Sequence, residues 1–173
     1  MIVIVGGAGL AGSNLVLKLN TENFNDIVIA DDYTDLEKKQ HLLSKRFSKK
    51  IKYQELPRFL TVNQLHVQLV VVTEEVSTEL AKGIWNSCLA FGLPLLVLEK
   101  GIQSTFEEIS KAESRKPYFW SIVKTENIQQ VALATESLFF LMKERRSSGV
   151  YEIDTNGNCL ALQNIGFQSL KME

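Results

Sequence analysis

MIVIVGGAGLAGSNL (residues 1–15) decides the fold. An apolar run at 2–5 leads into three glycines spaced three apart, Gly6, Gly9 and Gly12, and then into a helical pattern over about 11–20. Glycines set between a buried strand and a helix serve a backbone that turns sharply and lets a diphosphate come close. Gly6 allows the turn, Gly9 the close approach, and Gly12 the packing of helix on sheet. The diphosphate of a dinucleotide is expected over Gly9, Leu10 and Ala11, where a helix N-terminus offers unpaired N–H groups and partial positive charge. The alternative is a tight strand-to-helix turn with no ligand.

A second apolar run, IVIA (27–30), ends in Asp31 and Asp32. Asp31 is placed to accept hydrogen bonds from the adenosine ribose. A carboxylate there repels a 2′-phosphate, so NAD is expected in preference to NADP.

From this start, strand and helix patterns alternate along the chain. Strand patterns fall at 2–5, 27–30, KIKYQEL (50–56), 67–72, 93–98, PYFWSIV (117–123) and 149–153. Helical spacing runs through DLEKKQHLLSKRF (35–47), a segment opened by Pro57, STELAKGIWNSCLAFG (77–92), 105–113 and TENIQQVALATESLFFLMKERR (125–146). Such alternation builds parallel β-α-β units. The expected fold class is α/β: a single Rossmann-like, doubly wound parallel sheet of six or seven strands, ordered 3-2-1-4-5-6 with room for a seventh. Residues 1–157 form the NAD(P)-binding domain in this reading, and 158–173 a tail or short helix.

Composition narrows the function classes. The 173 residues carry a net charge of −1, which gives no field to gather nucleic acid or anionic lipid. No apolar run approaches the ~20 residues of a membrane span. Cys88 and Cys159 fit no metal or disulfide spacing, and a reduced, cytoplasmic setting is expected. The basic run SKRFSKKIK (44–52) reads as a solvated face, His41 and His66 as isolated surface or packing residues, and Trp85 and Trp120 as core or interface anchors.

GGAGLAGSN with DIVIADDYTD resembles the extended short-chain dehydrogenase/reductase family, the nucleotide-sugar epimerases and dehydratases. The resemblance continues, in order, through DDYTDLEKKQHLLSKRF, STELAKGIWNSCLAFGLPLL, KPYFW and IVKTENIQQVALATESLFFLM with SGVYEI. It implies a dinucleotide cofactor and a cleft completed after the fourth strand, where Thr73 stands among residues the family keeps small. It also implies a Tyr-x-x-x-Lys pair on a helix, in which the lysine lowers the phenol pKa for proton transfer.

Three departures follow. None of Tyr33, Tyr53, Tyr118 and Tyr151 has lysine four positions on, and the fifth strand runs into Glu99 and Lys100 instead of a Ser/Thr-rich segment. The long insertions that form the family's sugar-nucleotide lobe have no counterpart here. Glu74 and Glu75 are expected at the carboxyl edge of the sheet, where a carboxylate ~4 Å from a phosphate costs on the order of several kcal/mol at intermediate dielectric; the alternative is that both are solvated near the N-terminus of the following helix, where acids are favourable.

The resulting expectation is a non-catalytic relative of these enzymes, a dinucleotide-binding or interaction module working with a protein partner or a second copy of itself, and not with nucleic acid or membrane. Two alternatives stay open. One is an active NAD-dependent epimerase, dehydratase or reductase with unfamiliar or partner-supplied residues. The other is a structural subunit with an empty cleft. No metal site is expected.

Overall fold

Ile2–Val5 form β1, and all four side chains are buried, as in a strand covered on both faces. The computed structural model describes residues 1–33, 35–101, 104–125, 131–144, 148–153 and 159–161. The further strands are β2 (Ile27–Asp31), β3 (Lys49–Lys52), β4 (Leu69–Val72), β5 (Leu95–Lys100), β6 (Trp120–Thr125), β7 (Gly149–Ile153) and β8 (Cys159–Ala161). They make one sheet ordered β3-β2-β1-β4-β5-β6-β7-β8. The expected order and the seventh strand are therefore present, and β1 to β7 pair in parallel.

Strand β8 pairs antiparallel with β7 through Ile153 and Cys159. It lies in the stretch read as a tail or short helix, where weak patterning hid a three-residue strand. DTNGN (154–158), whose residues favour a turn, and residues 162–173, the rest of that tail, lie outside the described residues.

Register positions the site. Val5 is level with Ala30 on one side and with Val72 on the other. Gly6, Asp31 and Thr73 therefore leave the sheet at one edge, on either side of β1. This is the switch point of a doubly wound sheet, the place where such folds bind ligands.

Among the described residues, six α-helices flank the sheet: α1 (Leu10–Thr21), α2 (Leu36–His41), α3 (Leu56–Asn63), α4 (Thr78–Phe91), α5 (Thr105–Ala112) and α6 (Val131–Glu144). Leu15 and Leu19 of α1 pack with Leu138 and Leu141 of α6 on one face. Leu60 of α3, Ile84 and Trp85 of α4, and Phe106 of α5 fill the other. Trp85 and Trp120 meet with ring centroids 5.8 Å apart, so both are core anchors. Local signals bound α4: the Ser77 side chain accepts from Leu80 N–H at its start, and Gly92 ends it in the left-handed region.

The helix read through 35–47 is shorter than its pattern. It stops at His41, and Ser44 adopts φ +61°, turning the chain back so that β3 pairs with β2. The edge strand is shorter too, because Tyr53–Glu55 wind into a 3₁₀ turn ahead of α3. Residues 126–130 and 145–147, at the ends of the longest helical pattern, lie outside the described residues. No helix among the described residues is long and apolar enough to cross a membrane.

Candidate functional site

The loop between β1 and α1 is built as its glycines require. Gly6 has φ +74°, which disfavours any side chain. A Cβ on Gly12 would strike the carbonyl oxygen of Gly6 and lie 2.6 Å from Gly7 Cα and 2.7 Å from Thr73 Oγ1. Thr73, buried beneath the loop, places its hydroxyl 3.0 Å from the Val5 carbonyl and 3.1 Å from that of Gly6. Gly9 caps α1 with extended backbone and no side-chain acceptor. Leu10 is exposed and Ala11 buried, so the first turn of α1 begins at the surface of the cleft with N–H groups that lack intrahelical partners.

Asp31 sits opposite the loop, at the end of β2, and its side chain is fully buried. It accepts from Ala8 N–H at 2.9 Å, from Asp32 N–H at 2.8 Å and from Lys38 Nζ at 2.8 Å. Asp31 and the glycine loop, both expected to bind a cofactor, are thus tied together through Ala8 N–H, the carboxylate holding the loop in place.

Lys38 was not apparent from the sequence. From α2, its Nζ reaches Asp31, Asp32 Oδ1 at 3.2 Å and Glu74 Oε1 at 2.7 Å. Burial works against its charge, but hydrogen bonds to Asp31 and Glu74 outweigh burial and raise its pKa. His41, one helical turn further on, places Nδ1 3.0 Å from the Ala8 carbonyl. It is therefore part of the loop's surroundings, in the packing role the sequence left open for it. The signal was available in LEKKQH: an i, i+3 spacing puts Lys38 and His41 on one helix face.

Glu74 lies over the loop as the expectation of an acidic cleft required, and Glu75 does not. A Cβ on Gly6 would collide with Glu74 Cβ, and one on Gly9 would lie 2.8 Å from Glu74 Oε2. Glu75 is exposed to solvent.

Beside Glu74 is a cavity of ≈ 160 Å³, lined by Thr73–Val76, Val97–Lys100, Thr105 and Phe106. Glu99 enters it from the end of β5. Its Oε1 accepts from Phe106 N–H at 2.7 Å, in the first turn of α5, while Oε2 is buried with no hydrogen-bond partner among the described residues. Burial pushes its carboxyl up to about 7, against the pull of the α5 N–H groups.

The tyrosines are placed differently from a catalytic phenol. Tyr33 donates to the Ile29 carbonyl at 2.8 Å. Burial, followed by the charge of Asp31, raises the pKa of both Tyr33 and Tyr53. Tyr118 is exposed and Tyr151 is buried on β7. The Cys88 thiol is pushed up by burial and is inert in the core. Among the described residues, no group of three or more His, Cys, Asp and Glu side chains can hold a metal.

A glycine turn at the switch point of a parallel sheet defines the class: a Rossmann-like α/β protein. Within it, this chain resembles the extended short-chain dehydrogenase/reductases, with nucleotide-sugar epimerases among its structural neighbours. The Bordetella bronchiseptica enzyme WbmG, solved with NAD, superposes with TM-score 0.67 at 12% identity, covering 92% of this chain and 74% of that one. UDP-glucose 4-epimerase of Thermotoga maritima, solved with UDP-glucose, gives 0.62 at 10% identity over 92% and 78%. In sequence, ADP-L-glycero-D-manno-heptose-6-epimerase of Nitratidesulfovibrio vulgaris is 40% identical over 47 residues, 27% of this chain and 15% of the relative. No family model matches the chain.

The loop has the shape of a dinucleotide cradle, but the space above Gly9 holds the Glu74 carboxylate, and Lys38 engages Asp31 where a ribose would bond. In this arrangement the residues do not fit a dinucleotide.

Proposed function

We propose that the chain is a non-catalytic relative of the NAD-dependent nucleotide-sugar epimerases, a Rossmann module for dinucleotide binding or for interaction with a protein partner or a second copy. The carrying observation is the state of its phenols. Proton abstraction from a sugar hydroxyl needs a tyrosine whose pKa a neighbouring lysine lowers. Tyr33 and Tyr53 have theirs raised by burial and by Asp31, and Tyr33 spends its proton on a backbone carbonyl. Loading the cleft requires Glu74 and Lys38 to move; Gly6, Gly9 to Gly12, Asp31, Asp32 and Thr73 then line the dinucleotide, and the carboxylate of Asp31 favours NAD over NADP. Cytoplasmic location is part of the same reading.

One observation favours a second reading, an active oxidoreductase or epimerase with an unfamiliar acid. Glu99, pushed up to about 7 beside the cavity, is suited to move a proton near neutral pH.

The two are separated by following ADP-, GDP-, UDP- and dTDP-sugars by NMR for a day with saturating NAD. No interconversion is expected. Turnover that survives repurification and disappears in Glu99→Ala overturns the non-catalytic reading.

A further inference from the structure

A ligand site is recognised by the groups it leaves unsatisfied, and the glycine cleft leaves few. Above Gly9, where a close-approaching anion belongs, stands the carboxylate of Glu74, with Oε2 so near that a methyl group on Gly9 would touch it. Oε1 is held by Lys38 at 2.7 Å, and the same ammonium is bonded to the fully buried Asp31 at 2.8 Å and to Asp32 at 3.2 Å. The chain therefore supplies both halves of a bound anion from its own residues: a carboxylate on the loop and a cation neutralising it from the ribose side.

We propose that Glu74, clamped by Lys38, is a built-in occupant of the diphosphate position, and that a dinucleotide enters the cleft only by displacing it. The inference rests on the reading of this cleft as a dinucleotide site. Geometry and charge agree on it. Two anions cannot share the space above Gly9, and the cost of trying is larger where water is partly excluded. The clamp adds to it, since Lys38 is 16% exposed and Glu74 only 32%, so separating them exposes a partly desolvated pair. Glu75, exposed to solvent one residue on, does not enter the arrangement. Release of Glu74 also frees one bond of Lys38, which then faces an incoming phosphate while remaining anchored by Asp31 and Asp32.

The test uses the full chain and two readouts. Calorimetric titration with NAD compares the unchanged protein with Glu74→Ala and with Glu74→Gln, which keeps the bulk and removes the charge. The expected result is an affinity at least tenfold higher in Glu74→Ala, with Glu74→Gln between the two. In parallel, acetylation of lysines by an amine-reactive ester is followed by mass spectrometry. Lys38 is expected to react more slowly than its neighbour Lys39, and at least threefold faster in Glu74→Ala than in the unchanged protein. Equal NAD affinity in all three folded proteins overturns the plug and leaves the dinucleotide reading intact. No binding by any of them, with Lys38 still shielded, overturns the dinucleotide reading itself. Equal Lys38 reactivity in the unchanged protein and Glu74→Ala overturns the clamp.

Discussion

Two stretches of the same carboxyl edge of the sheet are built differently. At the ends of β1, β2 and β4, the loop of Gly6, Gly9 and Gly12 demands a left-handed backbone at Gly6 and close approach of backbone to backbone, with Thr73 and Asp31 bonded to it. On the neighbouring strand, the end of β5 carries the half-buried Glu99, whose carboxylate accepts from Phe106 N–H at the start of α5. The difference lies in what each group holds together. Thr73 ties the glycine turn to the end of β4 and Asp31 ties it to the end of β2, so these contacts belong to the fold whether or not a ligand binds. Glu99 ties the end of β5 to the start of α5 alone.

The sharpest way to break this comparison is Asp31→Ala. A residue present only for a ribose would leave stability unchanged when removed. Asp31 instead satisfies Ala8 N–H, Asp32 N–H and Lys38. Its loss leaves a buried donor and a partly desolvated ammonium short of partners, and about 3 kcal/mol of stability should go with it. Urea unfolding measures this, and a change below ~0.5 kcal/mol would show that the carboxylate belongs to ligand binding alone.

Next in size is Gly12→Ala, expected to cost about 2–3 kcal/mol because the new methyl group meets backbone that cannot give way. Gly83 on α4 is the control. Nothing lies within 4 Å of its Cβ position, so Gly83→Ala should be neutral or stabilising by ~0.5–1 kcal/mol. Opposite signs for the same chemical change in the same denaturant series would place the glycine requirement in close packing, not in composition.

The sequence carries this contrast unevenly. Gly6, Gly9, Gly12 and Asp31 were legible because local spacing and strand register determine where they go, and parallel pairing brings Asp31 level with the turn. The strand order was legible for the same reason. Lys38 and His41 were not. Their shared helix face follows from their spacing, but aiming that face at β4 depends on where α2 stops and on the left-handed turn at Ser44. Glu74 was legible as a charge at the sheet edge and not as a group in an ion pair, because its partner sits 36 positions away in sequence. Glu99 showed as a substitution for the expected segment, while its bond to the α5 N-terminus required the packing of α5 on β5.

The smallest effect sharpens the β5 side. Glu99 has a carboxyl raised to about 7 in the folded chain, against a usual value of 4.5, chiefly by burial. Between those two values the folded state holds a proton that the unfolded state has given up. Stability then falls as pH rises through this window, and the deficit is complete above pH ~7 and absent below pH ~4.5. Glu99→Gln removes the titration, keeps an oxygen to accept from Phe106 N–H, and puts an amide in place of the buried Oε2. The variant should match the unchanged protein at pH ~4.5 and exceed it by roughly 1–2 kcal/mol at pH 8, after allowance for the solvent that reaches this side chain. Denaturation curves at the two pH values give the difference directly. A gain that is the same at both would assign Glu99 a packing role only. A loss at pH 8 would mean that the ionised carboxylate is the form this edge was built around, held by the N–H groups of α5, and the proton-moving role of the second functional reading would lose its physical basis.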